Sequence, residues 1–145
     1  MFIKIFRIIN DNKISGTTYN YISDFNDEGI AIVYIMKDKE TVNVISKDMY
    51  GLINEGGKLI LKLEYNYVIK DNYCDCFRVF KGKVIQNEMG ESFPKDGKWW
   101  LLNAKGEFVN NKTYELIGEF YNDIALIKLK SNKRRFQKWN TKNGL

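Results

Sequence analysis

The chain has 145 residues, a net charge of +5 and 44% apolar residues, the size and composition of one globular domain or one short repeat array. A chain of this length buries roughly 70% of its unfolded surface on folding and needs no disulfide framework. It contains no His, which excludes Ser-His-Asp and Cys-His triads and His-based metal sites, and no apolar run approaches the roughly 20 residues of a membrane helix.

The first predicted strand runs from Phe2 to Ile9 and ends in an Asn10-Asp11-Asn12-Lys13 turn, because Asn and Asp tolerate left-handed backbone angles. A short strand near Ile14 follows, then a connection from Asn20 to Asp27. The apolar run Gly29 to Ile35 reads as a strand, Lys37 to Glu40 as a turn, and Thr41 to Ile45 as another strand. Tyr50 to Asn54 and Leu59 to Leu63 form a hairpin around Glu55-Gly56-Gly57-Lys58. Cys74 to Phe80 is the next strand, and Gln86 to Gly97, interrupted by Phe93-Pro94, reads as the longest loop. Trp99 to Asn103 then leads through Ala104-Lys105-Gly106 into Glu107-Phe108-Val109, and Ile124 to Ile127 closes the series. Two short segments, Tyr19 to Phe25 and Tyr114 to Phe120, are each expected to form a single helical turn.

These elements repeat. Phe6 to Asn10, Tyr50 to Asn54 and Trp99 to Asn103 each open on an aromatic, continue with aliphatics and close on Asn. Tyr65 and Tyr114 each lie 11 residues after the Asn of their unit, and Phe25 and Phe120 each lie six after Tyr19 and Tyr114. Trp139-Asn140 and the turn after it resemble the start of a fourth unit. The expected fold is all-β: three tandem hairpin or meander repeats stacked side by side, with short helical turns and a partial fourth unit. Residues 1–145 then form a single repeat domain, with units at approximately 2–46, 47–95, 96–130 and, in part, 131–145.

The run from Tyr50 to Lys58, with its aromatic-Gly step, aliphatic strand, Asn turn and Gly, closely resembles the core of the WG repeat. Tyr19, Phe25 and Glu28-Gly29 match its later landmarks, as do Tyr65, Tyr114 and Phe120. Arg7 and Trp100 stand where the pattern has Gly, and the second unit offers only Tyr73, displaced, for the Phe. The resemblance implies a bacterial setting, stacked hairpins and a binding or scaffolding role, with no catalytic residues and no cofactor.

The chemistry-bearing residues are few. Cys74 and Cys76, in Cys-Asp-Cys, read as two small apolar side chains on one face of a strand, with a half metal site or redox pair as the alternative. Asp71 and Asp75 read as solvated loop charges. Residues 128–145 hold Lys128, Lys130, Lys133, Arg134, Arg135, Lys138 and Lys142 with no acidic side chain, so the positive charge belongs to one end. That end interleaves cations with Phe136 and Trp139, the composition of a nucleic-acid contact or of a charged edge that stays soluble. Trp99 and Trp100, adjacent in a strand, must face opposite sides.

The expected function is therefore that of a non-catalytic, cytoplasmic protein-binding module, such as a small bacterial or phage inhibitor, immunity or anti-defence protein. Candidate contact residues are Trp99, Trp100, Phe93, Lys133, Arg134, Arg135, Lys138 and Trp139. The alternatives are RNA binding through the basic end and self-association through edge strands.

Overall fold

The computed structural model describes residues 3–9, 13–36, 45–46, 48–71, 73–121, 124–129 and 136–140. Thirteen strands appear among them: β1 (Ile3–Ile9), β2 (Lys13–Tyr19), β3 (Tyr21–Ile22), β4 (Ile30–Ile35), β5 (Ile45–Ser46), β6 (Met49–Asn54), β7 (Leu59–Tyr65), β8 (Tyr67–Asp71), β9 (Cys76–Gln86), β10 (Ser92–Leu102), β11 (Leu116–Ile117), β12 (Ile124–Lys128) and β13 (Phe136–Asn140). No helix occurs among the described residues, so none is long and apolar enough to cross a membrane. The two segments expected to turn helically instead carry β3 and β11, which pair with β4 and β12. Each is too short to nucleate a helix, and an adjacent strand already offers its backbone partners.

The strands form four antiparallel sheets: β1-β2; β3-β4-β6-β7; β10-β9-β5 with β8 also on β9; and β11-β12-β13. We refer to them as sheets 1 to 4. Each later sheet is assembled from two consecutive sequence units. The closing strand of one unit (β4, β9 or β12) pairs with the opening strand of the next (β6, β10 or β13). The register is the same each time. Asn54 and Asn140 stand opposite Ile30 and Ile124, and Leu102, next to Asn103, stands opposite Phe77, next to Cys76. Tyr19, Tyr65 and Tyr114 mark the points where the chain leaves one sheet for the next, and Tyr19 and Tyr114 are fully buried there.

Alternation along the closing strands supplies a core on both sides. In β4, Ala31 and Val33 pack toward Tyr19 of sheet 1, while Ile30 and Ile32 pack against sheet 3. In β9, Phe77 and Val79 meet sheet 2, while Cys76 and Phe80 meet sheet 4. In β12, Ala125 and Ile127 complete that third core layer with Ile117 and Phe120.

Four hairpin ends share one construction. In Asn26 to Ile30, Asn54 to Lys58, Asn87 to Glu91 and Asn103 to Glu107, the Asn Oδ1 accepts the N–H four residues on, at 2.9–3.0 Å. The Gly three residues after each Asn donates its N–H to the Asn carbonyl, also at 2.9–3.0 Å, with φ between +74° and +86°. That left-handed backbone is where Gly is nearly free and other residues are strained, which makes Asn-x-x-Gly a hairpin code. The copy at Asn87 overturns the reading of Gln86 to Gly97 as a loop. Those residues are the tip and one strand of a long β9–β10 arm, with a bulge between Lys95 and Gly97. Pro94 fits there because β10 is at a sheet edge and spares its N–H. The return strand expected at Glu107 to Val109 is reduced to one bridge, Leu102 to Phe108. The Asn10 turn, the Lys37 to Glu40 turn, Thr41 to Val44 and the turn after Asn140 lie outside the described residues.

Candidate binding surfaces

Trp99 is in the core, 6% exposed, with its ring centroid 5.0 Å from that of Phe80. Trp100 faces the other side, as expected, and is half-buried edge-on against Tyr65 at 5.7 Å. Phe93 is 51% exposed on the arm, opposite Ile85. Lys138 and Trp139 occupy β13, opposite Leu126 and Ala125. Lys133, Arg134 and Arg135 lie outside the described residues.

A polar cluster inside the molecule replaces the expected solvated aspartate. Asp71, at the end of β8, is 3% exposed and Arg78, in β9, is 7% exposed. Asp71 Oδ2 lies 3.6 Å from Arg78 Nη2 and accepts the Phe120 N–H at 3.0 Å, while Oδ1 accepts the Tyr73 N–H at 2.9 Å. Arg78 Nη1 donates to the Ile117 carbonyl at 2.9 Å. The pair thus joins the second unit to the third. Burial lowers the Arg78 pKa from its ordinary value, opposed by the charges of Asp71 and Glu119. Tyr73, the displaced landmark, is 65% exposed and packs on Tyr121 at 5.8 Å.

Cys74 sits in the turn before β9 rather than beside Cys76 on a strand, and the structure joins the two sulfurs as a disulfide. Asp75 between them has φ +48°, which folds the chain back enough for the two side chains to meet. Among the described residues, no group of three or more Cys, Asp or Glu side chains is arranged to hold a metal ion.

Four tyrosines cross from sheet 2 to sheet 3 in a row: Tyr21, Tyr34, Tyr50 and Tyr67, with successive centroids at 5.2, 5.0 and 5.8 Å. Burial, then the charge of Asp48, raises the pKa of both Tyr34 and Tyr50 above the ordinary phenol value. An acid whose folded pKa is raised stays protonated in the fold after the unfolded chain has begun to ionise. The stabilisation is therefore complete below about pH 10 and declines as pH rises past it. Denaturant melts between pH 8 and pH 11.5 should show falling stability above pH 10. Replacing Tyr50 by Phe should flatten that fall, and an unchanged profile would refute this origin for it.

Two surfaces go beyond the sites read from the sequence, although Phe93 on the second of them is already a candidate there. One is the outer face of sheet 4, where Leu116, Ile124 and Leu126 are 41%, 39% and 53% exposed. The register makes Ile124 and Leu126 the equivalents of Ile30 and Ile32, which sheet 3 covers in the second sheet. The other is the face of the β9–β10 arm that bears Phe93. The alternation of apolar and polar residues in β12 is the signal for the first, and the lysines of β9 and β10 are the signal for the second.

Residues 50–84 match the family model described as WG containing repeat. The match begins in β6, passes through the Asn54 hairpin, the Tyr65 junction and β8, and ends within β9. No curated protein and no solved structure matches the chain. Residues 50–84 thus carry a WG containing repeat, and the same turn and register recur on either side of that segment.

Proposed function

We propose that this chain is a non-catalytic protein-binding module, of the kind a small bacterial or phage inhibitor, immunity or anti-defence protein employs, and that it docks its partner on the outer face of sheet 4. One observation carries the reading. The forward face of each closing strand is covered in sheets 2 and 3, yet in sheet 4 the same positions leave Leu116, Ile124 and Leu126 partly in water. The partner's contribution is a matching apolar surface that does for β12 what sheet 3 does for β4. Each of these side chains is already about half buried, so covering the rest is worth roughly 0.7–1.5 kcal/mol.

Affinity capture from bacterial lysate, in high salt and with nuclease, tests the reading with wild type and Leu126→Glu side by side. The expected result is one protein retained by wild type and weakened at least about 30-fold by the buried charge, equivalent to about 2 kcal/mol. Leu126 is exposed, so the variant should melt within a few degrees of wild type. Equal capture by both proteins would remove the outer face from the interface.

A further inference from the structure

The β9–β10 arm carries an arrangement that folding alone does not favour. Its register sets Lys83 directly opposite Lys95 and, past the bulge, Lys81 directly opposite Lys98. All four lysines are exposed, and alternation places both pairs on the same face as Phe93 and Ile85. Like charges directly opposite in a sheet destabilise it. Only Lys81 has an anionic partner among the described residues, Glu64 at 3.7 Å on the surface. Protection of a free edge explains lysines on β10, which borders the sheet. It does not by itself require Lys81 and Lys83, which stand opposite those lysines on the side of β9 that β10 already pairs, between the stretches of β9 paired with β8 and with β5.

The lysine pairs are bracketed by aromatic rings. Phe93 lies at the tip side, half in water. At the other end, the Lys81 ammonium is 5.5 Å from the centroid of the Tyr65 ring, and Trp100 packs on that same tyrosine. Successive pairs along a strand are about 6.5–7 Å apart. That step suits an extended sugar-phosphate backbone, with ammonium groups meeting phosphates and flat side chains meeting bases at either end. Lysines act here as point charges that need no fixed geometry, so they suit a ligand recognised by charge and not by sequence.

The geometry points to a binding strip for single-stranded nucleic acid along the lysine-bearing face of the arm. It lies on a different element from the apolar face of sheet 4 and from the basic segment that begins at Lys128. The ligand lies along the arm, reads no bases and binds through ion release. Its affinity should therefore fall with salt at a log–log slope of about −0.7 per phosphate met, near −3 for four lysines.

Fluorescence anisotropy with labelled oligo-dT and oligo-rU, over a series of salt concentrations, tests this on the full chain. Wild type should bind both. Lys83→Ala/Lys95→Ala should weaken binding at least tenfold and cut the salt slope by about half, and Phe93→Ala should cost roughly tenfold with the slope unchanged. Because removing a like-charge pair relieves repulsion, the lysine double variant should melt no lower than wild type, which separates lost binding from lost folding. Leu126→Glu should bind like wild type, so the strip and the protein-docking face stand or fall separately. Wild-type affinity in the Lys83/Lys95 double variant would overturn the proposal, including the case where Arg134→Ala/Arg135→Ala alone abolishes binding. Competition by poly-glutamate as strong as that by oligo-rU would also overturn it, by assigning the strip to acidic polypeptides.

Discussion

Replacing Asp71 by Ala should destabilise the protein by about 3–5 kcal/mol, the loss expected when one partner of a buried ion pair is removed and the other is left charged in the interior. Three groups lose a partner together: the Arg78 guanidinium and the N–H groups of Tyr73 and Phe120. Arg78 is poorly placed to absorb the change, since its Nε already lacks a hydrogen-bond partner among the described residues. At this chain length the change corresponds to a fall in Tm of about 6–20 °C. The second half of the experiment is the double variant Asp71→Leu/Arg78→Met, which removes both charges. Buried pairs are often no better than apolar residues of similar size. The double variant should therefore be more stable than Asp71→Ala, a non-additivity that reports the pair itself. A small loss in Asp71→Ala, below about 1 kcal/mol, would show that the cluster admits water and does not tie the second unit to the third.

The repeat was legible because its signals are local. Asn with Gly three residues on specifies the turn, an aromatic and two aliphatics before it add the strand at Asn54 and Asn103, and three of the four described copies of this turn fall where the sequence reading had placed a turn or a strand boundary. The fourth, at Asn87, has the same Asn-x-x-Gly code. Pro94, Asp96 and Gly97 obscured it, because such residues usually end strands. Here the edge position tolerates Pro94, and the bulge takes up Asp96, whose φ is +54°. Units were legible but the sharing of strands between them was not. Periodicity counts the units without saying that β4, besides pairing back with β3, pairs forward with β6 of the next unit. Asp71 was misread because its decisive partner is the Phe120 N–H, 49 residues away, and nothing near Asp71 in the chain signals burial. The outer face of sheet 4 was hidden for a related reason. Ile124-Ala125-Leu126-Ile127 reads the same as Ile30-Ala31-Ile32-Val33, and only the count of sheets distinguishes a covered face from an open one.

Gly97→Ala should be the most damaging small substitution in the arm. Gly97 stands opposite Gly82, immediately after the bulge, and the Phe80 ring lies across this glycine pair while packing on Trp99. A Cβ at Gly97 would strike the Lys81 carbonyl and the edge of the Phe80 ring. A Cβ at Gly82 would come within 2.6 Å of the Gly97 Cα and 2.7 Å of Phe80 Cζ. The first clash is partly with backbone, which a side-chain rotation cannot relieve. Phe80 has nowhere to go, being 2% exposed in the layer between sheets 3 and 4. Overpacking of this kind costs 1–3 kcal/mol where side chains can shift and more where backbone must, so a loss of about 3 kcal/mol and a fall in Tm of about 6–12 °C are expected. The damage should be directional. Amide exchange should accelerate along β9 and β10 from Lys81 outward to the Asn87 turn, while the Asn54 hairpin, held in sheet 2 by β4, keeps its protection. Gly90→Ala provides the contrast. That glycine has φ +83° with open space where a Cβ would go, so its cost is backbone strain alone, about 1 kcal/mol. If both variants lost the same stability, the glycine pair would be acting through backbone conformation, and close packing of Phe80 on it would not be what fixes the register of the arm.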